Sequence, residues 1–176
     1  MFKNTIFRRM TALVLTLALA AAAALPGLAV YPMPIQTASE TEAVYLFNAD
    51  TGKTILNQNA DQQQYVASLT KLMTALLLLE SGKDLNGEVT VPTALTQEFR
   101  DIQNANGTTM GLRIGETVRR IDLLNAMLIV SANDAASVIA YDVGGSVLDF
   151  VKQMNARAQE LGCTGTNFTC AHGLFD

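Results

Sequence analysis

The sequence predicts an α+β fold, an opening hairpin followed by a buried helix, loops and further helices, with too few strands to form a finished sheet. Three observations lead there. Two short β-forming runs flank a turn near residue 50, an apolar run of helical length follows them, and three further helical stretches occupy the second half. At 176 residues, 49% hydrophobic and 16% charged, the chain has the composition of a folded protein, and its length suits one domain.

Each element has its own warrant. Ala43 to Phe47 and Thr54 to Leu56 hold β-formers, and Asn48-Ala49-Asp50-Thr51-Gly52 between them favours a tight turn, so the pair reads as a β-hairpin. From Leu69 to Glu80 the chain carries Leu72, Met73, Ala75 and Leu76 to Leu79 with no breaker before Gly82. That predicts a helix apolar nearly all round, placed in the middle of a domain. Between Lys83 and Glu116, short β-like pieces such as Glu88 to Val91 alternate with turn residues, and the polar stretch Asp101 to Thr109 reads as connection. Arg119 to Val130, Asn133 to Val143 and Val147 to Leu161 read as three more helices. In the last, Val147, Phe150, Val151, Met154, Ala158 and Leu161 share one face, Ser146 with Asp149 resembles a capping box, and Gly162 marks the end. A lone hairpin is marginally stable, so a sheet that opens this way expects further strands, which this sequence does not contain.

The N-terminal residues stand apart from the fold. Lys3, Arg8 and Arg9 precede an unbroken run of Ala, Leu, Val and Thr from Thr11 to Leu25, and Pro26-Gly27 ends it before Ala29. This is the pattern of a secretory signal peptide over residues 1–29, cut after Ala29 or else near Ala38. The alternative is a retained anchor, against which stands a run of about 15 residues where a span takes about 20. Residues 30–41, polar and Pro-containing, read as a flexible leader. The whole chain carries a net charge of −4. Without Lys3, Arg8 and Arg9 nine cations face 16 acids, a net −7. An acidic chain with no basic run and no Trp is not built to hold a nucleic-acid backbone.

In an exported protein Cys163 and Cys170 could close a small disulfide loop, or remain two free thiols. Neither suggests a nucleophile or a zinc ligand, since the chain has a single His and only these two Cys.

Two constellations carry chemistry. Ser68-Leu69-Thr70-Lys71 is an S-x-x-K at the start of the apolar helix, and residues three apart share a helical face, so Lys71 Nζ can reach Ser68 Oγ. A serine hydroxyl needs a base to become a nucleophile, and a partly desolvated lysine can serve because burial disfavours its charged form. The helix N-terminus would favour an oxyanion formed beside Ser68. By itself the motif is weak, expected about once by chance in a chain of this length. Its setting strengthens it, since the Lys71 stem must run along the core. Ser131-Ala132-Asn133 offers a hydroxyl that can pass a proton and an amide that can bind a carbonyl and fix the lysine. The bland reading of both residues is a helix cap.

The two motifs lie 63 positions apart and are accompanied by Gly111-Leu112-Arg113-Ile114-Gly115-Glu116, Leu161-Gly162-Cys163-Thr164, Thr166-Asn167-Phe168 and His172-Gly173-Leu174. In this combination the chain resembles the serine-type D-alanyl-D-alanine carboxypeptidases of peptidase family S11, the low-molecular-weight penicillin-binding proteins, from about Ala43 to Asp176. The resemblance implies the DD-peptidase/β-lactamase-like fold, a helical cluster packed on an antiparallel sheet, with residues 42–176 as the N-terminal part of the catalytic domain. It implies that Ser68 attacks the terminal D-Ala-D-Ala bond of a peptidoglycan stem peptide, Lys71 takes its proton, Ser131 relays a proton to the leaving D-alanine, and Asn133 holds the substrate amide and orients Lys71. It also implies an exported, extracytoplasmic enzyme that β-lactams acylate, with no metal or organic cofactor. His172 is read as a turn residue, because the family's base is the lysine.

The family's third motif, K-T-G on a sheet strand, does not occur after Asn133, and Gly52-Lys53-Thr54 has the letters in the wrong order within the hairpin turn. The sequence therefore reads as an N-terminal fragment, without the later strands or a C-terminal membrane anchor, and with little activity expected as written. Loss of one oxyanion donor alone costs about 10² to 10³ in rate. Two alternatives remain. A class A-like β-lactamase would need a deacylating Glu, where only Asp142, Asp149, Glu160 and Asp176 follow Asp134. A non-catalytic exported remnant would fit the absent third motif.

Overall fold

Asn48 starts the first turn with its own side chain: its Oδ1 accepts the Thr51 N–H at 2.9 Å and its carbonyl accepts the Gly52 N–H at 2.9 Å. Gly52 supplies the left-handed conformation, φ 67°, that closes the turn. The hairpin then pairs β1, Val44–Asn48, with β2, Lys53–Gln58, antiparallel, with a bulge between Leu46 and Phe47. Lys53 and Thr54 are strand residues at its start, and Tyr45 Oη and Thr54 Oγ1 lie 3.1 Å apart across the pair. The computed structural model describes residues 41–175. The expected signal peptide and nearly all of the leader lie outside the described residues. Within them the chain divides into two units, this hairpin up to Gln58 and a helical unit from Asn59.

The helical unit contains α1, Thr70–Glu80, α2, Thr96–Asn104, α3, Arg120–Ile129, α4, Asn133–Gly144, and α5, Val147–Glu160. A small antiparallel sheet pairs β3, Glu88–Thr90, with β4, Thr117–Arg119. The expected capping box at α5 is formed: Ser146 Oγ accepts the Asp149 N–H at 3.0 Å and donates to Asp149 Oδ2 at 2.9 Å. Gly145 and Gly162, both at positive φ, follow the two C-termini. Helix α4 is the axis of the unit. Ala135, Ala136, Val138 and Ile139 join Leu78, Leu95, Leu123 and Met127 in one apolar cluster, while Ala140 joins Phe150, Val151, Met154 and Ala171 in a second.

Three expectations need correction. The segment from Lys83 to Glu116 is not mostly connection, because Thr96–Asn104 is a helix whose Ile102 is fully buried. The second strand of the small sheet takes Arg119 out of the following helix. Helix α1 is not buried all round: Lys71, Thr74, Ala75 and Leu78 face inward, whereas Leu72 and Leu79 are exposed. Leucine content marked a helix there but not which of its faces is covered.

Candidate active site

Ser68 lies in the short 3₁₀ turn Ala67–Leu69 that leads into α1, at the positive end of the helix dipole. Lys71, one turn on, is only 2% exposed. Its Nζ donates to three oxygens: Ser68 Oγ at 3.0 Å, Asn133 Oδ1 at 2.8 Å and the His172 carbonyl at 2.8 Å. Ser131 Oγ donates to Ser68 Oγ at 2.9 Å. The structure thus brings together all four residues singled out in the sequence, Ser68, Lys71, Ser131 and Asn133. Neither Ser131 nor Asn133 acts as a helix cap; Ala132 holds the cap position of α4.

Backbone carbonyls orient the site. The Thr108 carbonyl accepts both the Asn133 N–H, at 2.8 Å, and its Nδ2–H, at 2.9 Å, which leaves Oδ1 to face Lys71. Asp134 fixes the neighbouring loop, its carboxylate accepting the N–H groups of Met110, Gly111 and Leu112, each at 3.0 Å. Thr74 Oγ1 donates to the Ala171 carbonyl at 2.6 Å, one residue before the carbonyl that Lys71 holds. At Gly173 a Cβ would fall on the Ala67 carbonyl, so only glycine lets this turn approach the residue before Ser68. Ala67 and Ser131 both adopt positive φ, 48° and 61°, a conformation that non-glycine residues rarely hold without surrounding support.

The electrostatics follow from burial. Desolvation pushes the Lys71 amine below the ordinary lysine value, with the nearby Cys170 opposing it. Two of the three Lys71 partners are carbonyl oxygens, which only accept. A neutral amine would therefore spend both N–H groups on Asn133 and His172 and turn its lone pair to the Ser68 hydroxyl. Beside these residues an open cleft of ≈ 320 Å³ is walled by Val66, Leu69, Leu72, Met127 and Leu128.

Residues that sequence reading did not assign complete the surroundings. His172, read as a turn residue, is fully buried, and its carbonyl holds Lys71. Its Nε2 lies 3.2 Å from Glu98 Oε1. Burial raises the Cys170 thiol pKa, but hydrogen bonding with His172 outweighs it and brings the thiol down to about 6. Both cysteines are free, Cys163 exposed and Cys170 buried. Among the described residues no cluster of three or more His, Cys, Asp or Glu is placed to hold a metal.

Comparison with known proteins finds solved structures of the same fold. The Streptomyces K15 DD-transpeptidase superposes with a TM-score of 0.66 at 30% identity, over 73% of this chain and 51% of that one. The ampicillin-bound penicillin-binding protein D2 from Listeria monocytogenes gives 0.57 at 30% identity, over 78% and 53%. The fold and these similarities define a protein of the penicillin-binding, DD-peptidase class. The chain belongs to peptidase family S11, D-alanyl-D-alanine carboxypeptidase, whose family model matches residues 32–176. The D-alanyl-D-alanine carboxypeptidase DacF of Bacillus subtilis is 33% identical over 142 residues, 79% of this chain. The chain spans 35% of the length of that relative.

Proposed function

We propose that these residues are the acylation centre of an exported serine-type D-Ala-D-Ala carboxypeptidase acting on peptidoglycan stem peptides. The observation that carries this reading is the fixed position of Lys71 Nζ between Asn133 Oδ1, the His172 carbonyl and Ser68 Oγ. Neutral Lys71 takes the Ser68 proton as Oγ attacks the carbonyl of the terminal D-Ala-D-Ala bond. The tetrahedral intermediate collapses as its C–N bond breaks, and Ser131, 2.9 Å from Ser68, relays a proton to the departing D-alanine nitrogen. The remaining Nδ2–H of Asn133 is available to the substrate carbonyl. Water then hydrolyses the ester and restores Ser68, leaving a stem peptide one residue shorter.

A β-lactam presents a strained amide to the same serine, so a lasting penicilloyl ester on Ser68 is the expected adduct. Among the described residues, the carboxylates after Asp134 are held in ion pairs. Asp142 pairs with Arg120 and Lys83, Asp149 with Lys152, and Glu160 with Arg157, so each is already committed elsewhere. The substrate-carboxylate clamp belongs to the third motif, so the reaction is that of a protein carrying this chain together with a K-T-G strand.

Labelling with a fluorescent penicillin tests the reading in such a protein. A stable adduct that disappears in Ser68→Ala is expected. Absence of any adduct, or one that survives that substitution, would overturn the assignment.

A further inference from the structure

His172 is held at both ends. Its carbonyl accepts Lys71 Nζ, and its ring reaches away from the cleft into the body of the helical unit. There Nδ1 accepts the Leu174 N–H at 3.0 Å, which leaves the proton of the neutral ring on Nε2, facing Glu98 Oε1 at 3.2 Å. The same Glu98 oxygen accepts Ser137 Oγ at 3.1 Å. Ser137 lies one turn along the helix that begins with Asn133. We propose that Glu98 is a positioning residue for Lys71, acting through the His172 ring to fix the carbonyl that aims the lysine.

The inference rests on Lys71 being the base of the proposed reaction. The upstream end of the turn has its own anchor, since Thr74 holds the Ala171 carbonyl. The peptide that carries the His172 carbonyl is held at its N–H, which Gly173 donates to Cys170 Sγ at 3.1 Å, and through the His172 side chain, which Glu98 holds. If that carbonyl swings, the amine loses one of two acceptors that direct its third valence at Ser68. The ionisable groups around this line are Cys170 and His172 from the turn and Glu98 from α2. Hydrogen bonding from His172, opposed by burial, holds the Glu98 carboxyl below its ordinary value, so Glu98 is an anion that accepts from both neighbours.

Two substitutions separate geometry from charge. Glu98→Gln retains an oxygen that accepts from His172 and Ser137, while Glu98→Ala retains none. In the penicillin-labelled protein, Glu98→Ala should lower the limiting acylation rate about tenfold with the half-saturating penicillin concentration unchanged, and Glu98→Gln should restore most of it. The second readout needs no reactive serine: the titration of the Lys71 ε-methylene followed by NMR, assigned with Lys71→Arg. Its midpoint should fall in Glu98→Ala, which loses a fixed acceptor for the ammonium, and stay near its starting value in Glu98→Gln.

An unmoved midpoint in Glu98→Ala, or a shift of equal size in both variants, overturns the positioning role while Ser68-dependent labelling keeps the proposed reaction. A missing penicillin adduct with the expected NMR shifts sinks the reaction and keeps the link from Glu98 to Lys71. Should Glu98→Ala fail to fold, Ser137→Ala replaces it. A smaller shift in the same direction is then expected, and none overturns the proposal.

Discussion

Two charges drawn into the helical unit are handled in opposite ways. Asp142 is held by cations: Arg120 grips it with Nε at 2.7 Å and Nη2 at 3.0 Å, and Lys83 Nζ adds a contact at 3.4 Å. Burial would raise its carboxyl pKa, but the Arg120 hydrogen bonds and charge bring it below the usual value. Lys71 is more deeply buried, yet its three hydrogen-bond partners are neutral oxygens, and no carboxylate forms an ion pair with it among the described residues. A charge matched by opposite charge is locked in one state. A charge matched only by dipoles can leave as a proton with its surroundings still satisfied, which is the property a base requires.

The strongest way to break this comparison is Lys71→Met. Acylation by penicillin should fall about 10⁴-fold or more, because without a base the serine stays a hydroxyl. Thermal stability should fall only modestly, since the loss of a desolvated amine offsets in part the Asn133 Oδ1 and His172 carbonyl left without a donor. A large loss of stability would show that Lys71 is structural after all.

Arg120→Ala is the converse. It strips the bidentate partner from a half-buried carboxylate and should cost about 2 kcal/mol in denaturant unfolding, with acylation per folded molecule unchanged. Equal stability of variant and parent would mean that Lys83 suffices for Asp142.

The smallest effect, and the sharpest distinction, is in pH. The folded carboxyl of Asp142 titrates below its ordinary value. Its contribution is therefore present above that ordinary value and lost as pH falls through the folded one. The Lys71 amine is also depressed on folding, so the unfolded chain binds the extra proton between the folded value and the ordinary one, and stability rises with pH across that alkaline window. Acylation should rise through the same window as the amine is freed. In Lys71→Met the alkaline rise in stability should vanish and the acid loss remain, as read from melting temperatures across pH.

Side-chain chemistry was legible in the sequence where it repeats a spacing. Ser68 and Lys71 fall on one helical face, and Ser131 with Asn133 sits at a helix entrance, so both pairs could be singled out before their contacts were known. The carbonyls of Thr108 and His172 could not, because every residue has a carbonyl and nothing in a side chain announces where it points. Helix α2 was hidden for a related reason. Gln97, Glu98, Arg100, Asp101, Gln103 and Asn104 surround Phe99 and Ile102, and two apolar residues among six polar ones look like a loop until Ile102 is seen in the core. Strands of three residues, as in β3 and β4, are too short to display an alternating pattern.

The single Thr108 oxygen that receives both N–H groups of Asn133 makes the site sensitive to chemical ageing. Hydrolysis of that side-chain amide to a carboxylate, a familiar lesion of stored asparagine, changes one NH₂ to an oxygen. The new group has no hydrogen for Thr108 and sets a negative charge beside Lys71, which then keeps its proton. In the proposed reaction such a molecule would fail to activate Ser68, a defect of less than one mass unit.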